Sequence, residues 1–78
     1  MLLAIDVGNT QTVLGLFDGA ELREHWRIAT ETHRTGDELG VFLRGFLGDA
    51  ALEGIVLSST VPRLIAAYGE LADRMGVE

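Results

Sequence analysis

Residues 2–7, LLAIDV, and residues 12–17, TVLGLF, carry apolar side chains at successive positions instead of alternate ones, with the short stretch GNTQ between them. Successive strand residues point to opposite faces of a sheet, so such runs call for cover on both sides. Leu2 to Val7 reads as a first strand and Thr12 to Phe17 as a second, joined by a tight turn. Asp18 and Gly19 follow at once, a pair suited to a type I′ hairpin turn with positive φ at both central positions. Glu21 to Ala29 then alternates, with Leu22, Trp26 and Ile28 on one side and Arg23, His25 and Arg27 on the other. This third strand is expected at a sheet edge, ending an antiparallel meander.

The period then changes from 2 to 3.6. Thr35 and Glu38 stand in the S/T-x-x-E relation of a capping box, in which each side chain satisfies an orphan amide of the first helical turn. Leu39, Phe42, Leu43, Phe46 and Leu47 form one apolar stripe, and Gly48 is a natural stop. Gly40 and Gly45 inside the helix each cost about 1 kcal/mol relative to alanine, so this helix must lean on tertiary packing. Gly54 to Thr60 reads as a short buried strand running into a polar turn. Pro62 opens a second helix, where its missing N–H costs nothing. Its expected buried stripe is Val61, Leu64, Ile65, Tyr68, Leu71, Ala72 and Met75. The order is β-β-β-α-β-α, an α/β arrangement that matches the start of a ribonuclease-H-like fold, incomplete at its C-terminus.

The 78 residues make one small domain with no cysteine. A chain this short buries only about 60% of the surface that its unfolded form exposes, and no disulfide or thiolate metal site supplements the core. With 47% hydrophobic and 23% charged residues the composition is globular. The net charge is −6, and all six basic residues are arginines. Such a chain lacks the cationic surface that nucleic acid or anionic lipid requires, so neither nucleic acid nor membrane is expected as a partner. The start lacks the basic region of a signal peptide, and no apolar stretch reaches the length of a membrane span; a cytoplasmic protein is the expectation.

The turn between the first two strands is the chemical feature. Asp6 is the last outward-facing residue of the first strand, and Gly8 to Gln11 make the turn. Glycine accepts φ values closed to other residues and lets an anion approach the backbone without meeting a Cβ. Consecutive turn amides can form an anion-binding nest. Thr10 and Thr12 offer hydroxyls and Asn9 an amide. Asp6 repels phosphate directly but can order the water shell of Mg²⁺ that bridges phosphate oxygens. The pattern is neither a P-loop nor a dinucleotide fingerprint. A plain hairpin loop with a capping aspartate remains the competing reading.

Four segments, LLAIDVGNTQTVLGLFDG, HWRIAT, RTGDEL and LSSTVP, occur in an order and spacing that resemble the amino-terminal part of type III pantothenate kinases, members of the acetate kinase, sugar kinase, Hsp70 and actin superfamily. The resemblance extends over residues 1–78. It implies ATP-dependent phosphorylation of pantothenate to 4′-phosphopantothenate, the first step of coenzyme A biosynthesis. It also implies a homodimer, Mg²⁺ with the ATP, and a monovalent cation, K⁺ or NH4⁺. By position, Asp6, Val7, Gly8, Asn9, Thr10, Gln11, Thr12 and Val13 match the family's first phosphate motif, with Asp6 acting on the metal through its bound water. Kinases of this family are roughly three times as long, and the catalytic base in a G-A-D-R motif, the pantothenate pocket and the cation site are expected beyond residue 78. This chain would supply the phosphate-binding hairpin only and be inactive alone.

Leu71, Ala72, Asp73 and Arg74 imitate G-A-D-R, but the helical stripe puts Asp73 on or beside a solvated face. His25 and His33 lack zinc-ligand spacing. Ser58, Ser59 and Thr60 have no histidine partner for nucleophilic catalysis, and suit helix capping and the floor of a cleft at a strand end. Trp26 suits edge packing, with a dimer contact as the second choice, and Asp37, Asp49 and Glu53 read as solvated. Two further functional readings stand: another kinase or ATPase of the superfamily, against which HWRIAT and LSSTVP argue, and an inactive remnant or regulatory module. Whichever holds, the fourth strand ends the chain's sheet with an apolar, unpaired edge, so the isolated chain is expected to self-associate.

Overall fold

In the computed structural model, residues 1–48 and 50–75 are described, Arg74 and Met75 by backbone alone. The expectations for Asp49, for the Arg74 side chain and for Met75 in the second helical stripe lie outside the described residues. Strand β1 (Leu2–Val7) runs antiparallel to β2 (Gln11–Asp18), which runs antiparallel to β3 (Glu21–Ala29). Helix α1 (Gly36–Leu47) crosses over to β4 (Gly54–Ser59), which lies parallel to β1, and α2 (Pro62–Met75) follows. The sheet order is β3-β2-β1-β4, so β3 and β4 form its edges. A parallel neighbour needs a crossover connection, which α1 provides.

Helix α1 starts and stops by local chemistry. The Thr35 hydroxyl accepts the Glu38 N–H at 3.2 Å, and a Glu38 carboxylate oxygen accepts the Thr35 N–H at 3.1 Å. At the other end Gly48 takes φ +57° and returns its N–H to the Arg44 carbonyl. Both helices lie on one side of the sheet. Leu3, Ile5, Val7 and Leu14 from the strands meet Leu39, Leu43, Leu64, Ala67, Tyr68 and Leu71 from the helices in one core. A fully buried leucine or isoleucine contributes about 1.5–3 kcal/mol. Trp26, on the helix side of β3, stacks on Phe46 with ring centroids 5.1 Å apart, and Arg34 lies 4.6 Å above the Phe42 ring. Ile65 departs from the expected stripe of α2 and is 46% exposed.

The opposite face carries no helix among the described residues, so the expected second cover is not supplied by them. Register aligns Leu22, Phe17 and Leu2 in one row there, His25, Gly15, Ala4 and Val56 in the next, and Arg27, Val13, Asp6 and Ser58 in the third. Leu2, Val13, Leu22 and Val56 are exposed.

Two sequence expectations about the meander change. The β2–β3 turn is centred on Gly19 and Ala20, flanked by the paired Asp18 and Glu21. Only Gly19 has positive φ, +62°, which is the pattern of a type II′ turn and not of type I′. Leu22 also leaves the side of Trp26 and Ile28. Leu16 pairs with Glu24 while Phe17 pairs with Leu22, so Arg23 is an extra residue in a bulge. One inserted residue flips the parity of everything before it.

Candidate functional site

Asp6 ends β1 on the open face, exposed, directly beside Val13 on β2 and Ser58 on β4. It sits at the rim of a cavity of about 480 Å³ lined also by Ala4, Val13, Phe17, Val56 and Ser58. That hollow is the uncovered sheet face and mainly apolar. The polar groups converge a step further on, where β1 turns into β2 at the same sheet end from which β4 runs into α2.

The turn Gly8–Asn9–Thr10 is closed by the Gly8 N–H donating to the Gln11 carbonyl at 2.9 Å. Of the two needs the sequence suggested for its glycine, the special φ is not used. Gly8 does not have positive φ; instead, a Cβ on it would stand 3.0 Å from the Gln11 carbonyl oxygen. Close backbone approach favours glycine, because a Cβ would need the Gln11 carbonyl to give by a few tenths of an ångström. With no residue of the turn in the left-handed region, the alternating backbone of an αR-αL nest is absent. Among the described residues, none accepts a hydrogen bond from the amides of Asn9 or Thr10. These two successive N–H groups, on exposed residues, are free to donate to water or to an anion.

Alternation divides the span Asp6 to Val13 between two environments. Val7 and Thr12 are each 1% exposed and point to the helices. The Thr12 hydroxyl, expected at the phosphate path, is taken up by the Thr30 hydroxyl at 2.8 Å. The Thr30 N–H donates to the Thr10 carbonyl at 2.9 Å, so the residue that follows β3 braces the turn. Asp6, Asn9, Thr10, Gln11 and Val13 remain exposed.

The β4–α2 turn meets it from the other side. Thr60 donates its N–H to the Val7 carbonyl at 3.4 Å and its hydroxyl to Asn9 Oδ1 at 3.3 Å. Ser59 Oγ accepts the Val61 N–H at 2.9 Å just ahead of α2. The first turn of α2 holds no acidic residue, whereas that of α1 holds Asp37 and Glu38. The positive end of the α2 dipole is thus uncompensated by side chains of its own first turn. Sequence spacing alone did not pair Thr60 with Asn9; the parallel register of β1 and β4 does.

No group of three or more metal-ligating side chains occurs among the described residues. One carboxylate at a strand end fits Mg²⁺ held through water and phosphate, not an all-protein cage. His33 Nδ1 instead lies 3.0 Å from the Arg63 guanidinium, and His25 is exposed on the open face. Asp37 and Glu53 are at the surface, Glu53 within 3.4 Å of the terminal ammonium. Asp73 is exposed near the far end of α2, about 16 Å along the helix axis from Pro62. That distance separates it from the turn. No helix among the described residues is long and apolar enough to cross a membrane.

These features make an α/β domain with a mixed four-stranded sheet, two helices on one face, and a polar turn at the end of its parallel pair. The family model described as Type III pantothenate kinase matches residues 2–77. A type III pantothenate kinase of Streptomyces griseus is 49% identical over 83 residues, which cover 95% of this chain and 31% of that protein. That of Acidothermus cellulolyticus is 56% identical over 78 residues, 95% of this chain and 30% of its own length. That of Frankia alni is 55% identical over 71 residues, 91% of this chain and 27% of its own. The chain belongs to the type III pantothenate kinase family. It spans less than a third of the length of these relatives.

Proposed function

We propose that this chain supplies the ATP-phosphate-binding hairpin of an enzyme that phosphorylates pantothenate at the entry to coenzyme A biosynthesis. The observation that carries the reading is the turn itself. Two unpaired amides, at Asn9 and Thr10, lie next to Asp6 at the end of β1, in a chain of the kinase family. Backbone donors suit a chain whose charge is −6 and whose turn holds no cation.

Within this reading the fold is the first half of a ribonuclease-H-like, actin-like ATPase domain. The span Asp6–Val13 is its first phosphate motif. Gly8 keeps the turn narrow, Asn9, Thr10 and Gln11 meet phosphate oxygens, and Val7, Thr12 and Val13 hold the strands that frame them. Mg²⁺ would neutralise developing phosphate charge, and Asp6 would hold its water shell. A monovalent cation, K⁺ or NH4⁺, and a homodimer complete the proposal, with ATP and pantothenate as ligands in a cytoplasmic enzyme. Phosphoryl transfer requires positioning and charge stabilisation from both walls of a cleft. The 78 residues alone then do not turn over.

Incubating the full native chain that carries this sequence with ATP, Mg²⁺ and either pantothenate or a hexose tests the reading. Transfer to pantothenate and not to the hexose is expected. Transfer to the hexose alone would assign a different kinase, and no transfer to either would leave the inactive-module reading.

A further inference from the structure

Asn9 reaches the solvent side of the turn with one end of its carboxamide already engaged. The Thr60 hydroxyl, 51 residues away in sequence, donates to Asn9 Oδ1 at 3.3 Å. Thr60 is itself held twice: its own N–H donates to the Val7 carbonyl, and the neighbouring Ser59 hydroxyl ties the chain to Val61 on entry to α2. A carboxamide has an acceptor end and a donor end of nearly equal shape. With the oxygen engaged by Thr60, neither Nδ2 hydrogen is used by Thr60, and both are left on a turn whose own free donors are the Asn9 and Thr10 amides. A hydroxyl can also accept, and in that arrangement the flipped carboxamide would turn its oxygen toward an arriving anion. The donor state of Thr60 leaves Asn9 both Nδ2 hydrogens for phosphate oxygens and keeps its oxygen away from them, whereas the accepting state leaves one hydrogen at most beside an anion-repelling oxygen.

We propose that Thr60 is a positioning residue of the nucleotide site, acting through Asn9 by fixing its carboxamide with the N–H end toward the ATP phosphates. The inference rests on the phosphate-binding reading of the hairpin and adds a residue outside the Asp6–Val13 span. It also couples the two walls present here. Phosphate drawn to Asn9 favours the Thr60 bond, and that bond holds the start of α2 against the β1–β2 turn.

The test uses the full native chain with Mg²⁺–ATP as the probe, reading KM for ATP, kcat and the melting temperature for five proteins: wild type, Thr60→Val, Thr60→Ser, Asn9→Ala, and the double variant Thr60→Val with Asn9→Ala. Thr60→Val keeps the side-chain shape and removes the donor, and its KM for ATP is expected to rise by about three- to tenfold, as for loss of one hydrogen bond to a charged group. Thr60→Ser restores the wild-type KM. In the Asn9→Ala background the valine substitution changes KM no further, because the group that Thr60 positions is gone. An unchanged KM in Thr60→Val, or full additivity with Asn9→Ala, would overturn the proposal while the kinase reading stands. A wild-type chain with no affinity for Mg²⁺–ATP would overturn both. A fall in melting temperature with KM unmoved would reduce Thr60 to a purely structural tie.

Discussion

The hydroxyl oxygens of Thr12 on β2 and of Thr30, the first residue after β3, lie 2.8 Å apart, and Thr12 is only 1% exposed. This pair is where the meander secures the turn, because Thr30 also donates its N–H to the carbonyl of Thr10. Thr12→Val removes one partner and leaves the Thr30 hydroxyl part-buried and unpaired, at a cost of about 1–3 kcal/mol. Substituting both residues by valine should recover much of that loss. A double-mutant cycle in urea denaturation reads the coupling directly.

Gly8 and the Gln11 carbonyl make the second constraint on the turn. A Cβ at position 8 would stand 3.0 Å from that backbone oxygen, which has no flexible side-chain end with which to yield. Gly8→Ala is expected to push the turn open, break its closing hydrogen bond, and destabilise by about 1–3 kcal/mol. Mg²⁺–ATP affinity should fall with it. Gly45, whose added Cβ meets nothing within 4 Å, is the control: alanine there should stabilise α1.

The open sheet face exposes Leu22 at 49% and Val56 at 55%, beside Leu2 and Val13. The isolated 78-residue chain is therefore expected to associate with itself as concentration rises. Leu22→Lys combined with Val56→Lys should shift light-scattering mass toward the 8.4 kDa of one chain while leaving the circular dichroism spectrum unchanged. A monodisperse wild-type monomer would contradict this.

Tyr68, 4% exposed, contributes an alkaline pH dependence. Burial pushes its phenol above the ordinary value of 10.0, against the smaller, opposite pull of the Arg34 guanidinium. A raised folded-state value means the unfolded chain releases this proton first. The contribution of the neutral phenol is present in full below pH 10 and is lost as pH rises through the folded-state value. Denaturation midpoints should decline on the alkaline side, and Tyr68→Phe should flatten that decline.

Local chemistry was legible in advance. The Thr35–Glu38 box, the Gly48 stop and Pro62 at the head of α2 each act within a few residues, and each stands where the sequence put it. Leu22 lies on the face opposite to the one its alternation predicts, because a bulge at Arg23 inserts a residue without disturbing the alternation of letters. The turn type was misread because Asp18-Gly19 and Gly19-Ala20 both satisfy a glycine-bearing hairpin, and only φ distinguishes them. The role of Gly8 was hidden for a similar reason, since close approach and positive φ select the same residue. Asn9 and Thr60 could not be joined from sequence, because their meeting depends on how β4 registers against β1. The uncovered face was legible only as a demand: Leu2, Val13 and Phe17 announced a covered sheet, and no described residue supplies the cover.

The most direct test of the account is ATP-dependent phosphorylation of pantothenate by the full native chain, wild type against Asp6→Asn. Asp6 is exposed, so the substitution should leave the fold and its melting temperature in place. If Asp6 orders the Mg²⁺ shell over phosphates held by the Asn9–Thr10 turn, wild type transfers phosphate and the variant loses about a hundredfold or more in kcat/KM. An inert wild type, or a variant that transfers as fast, would contradict the account.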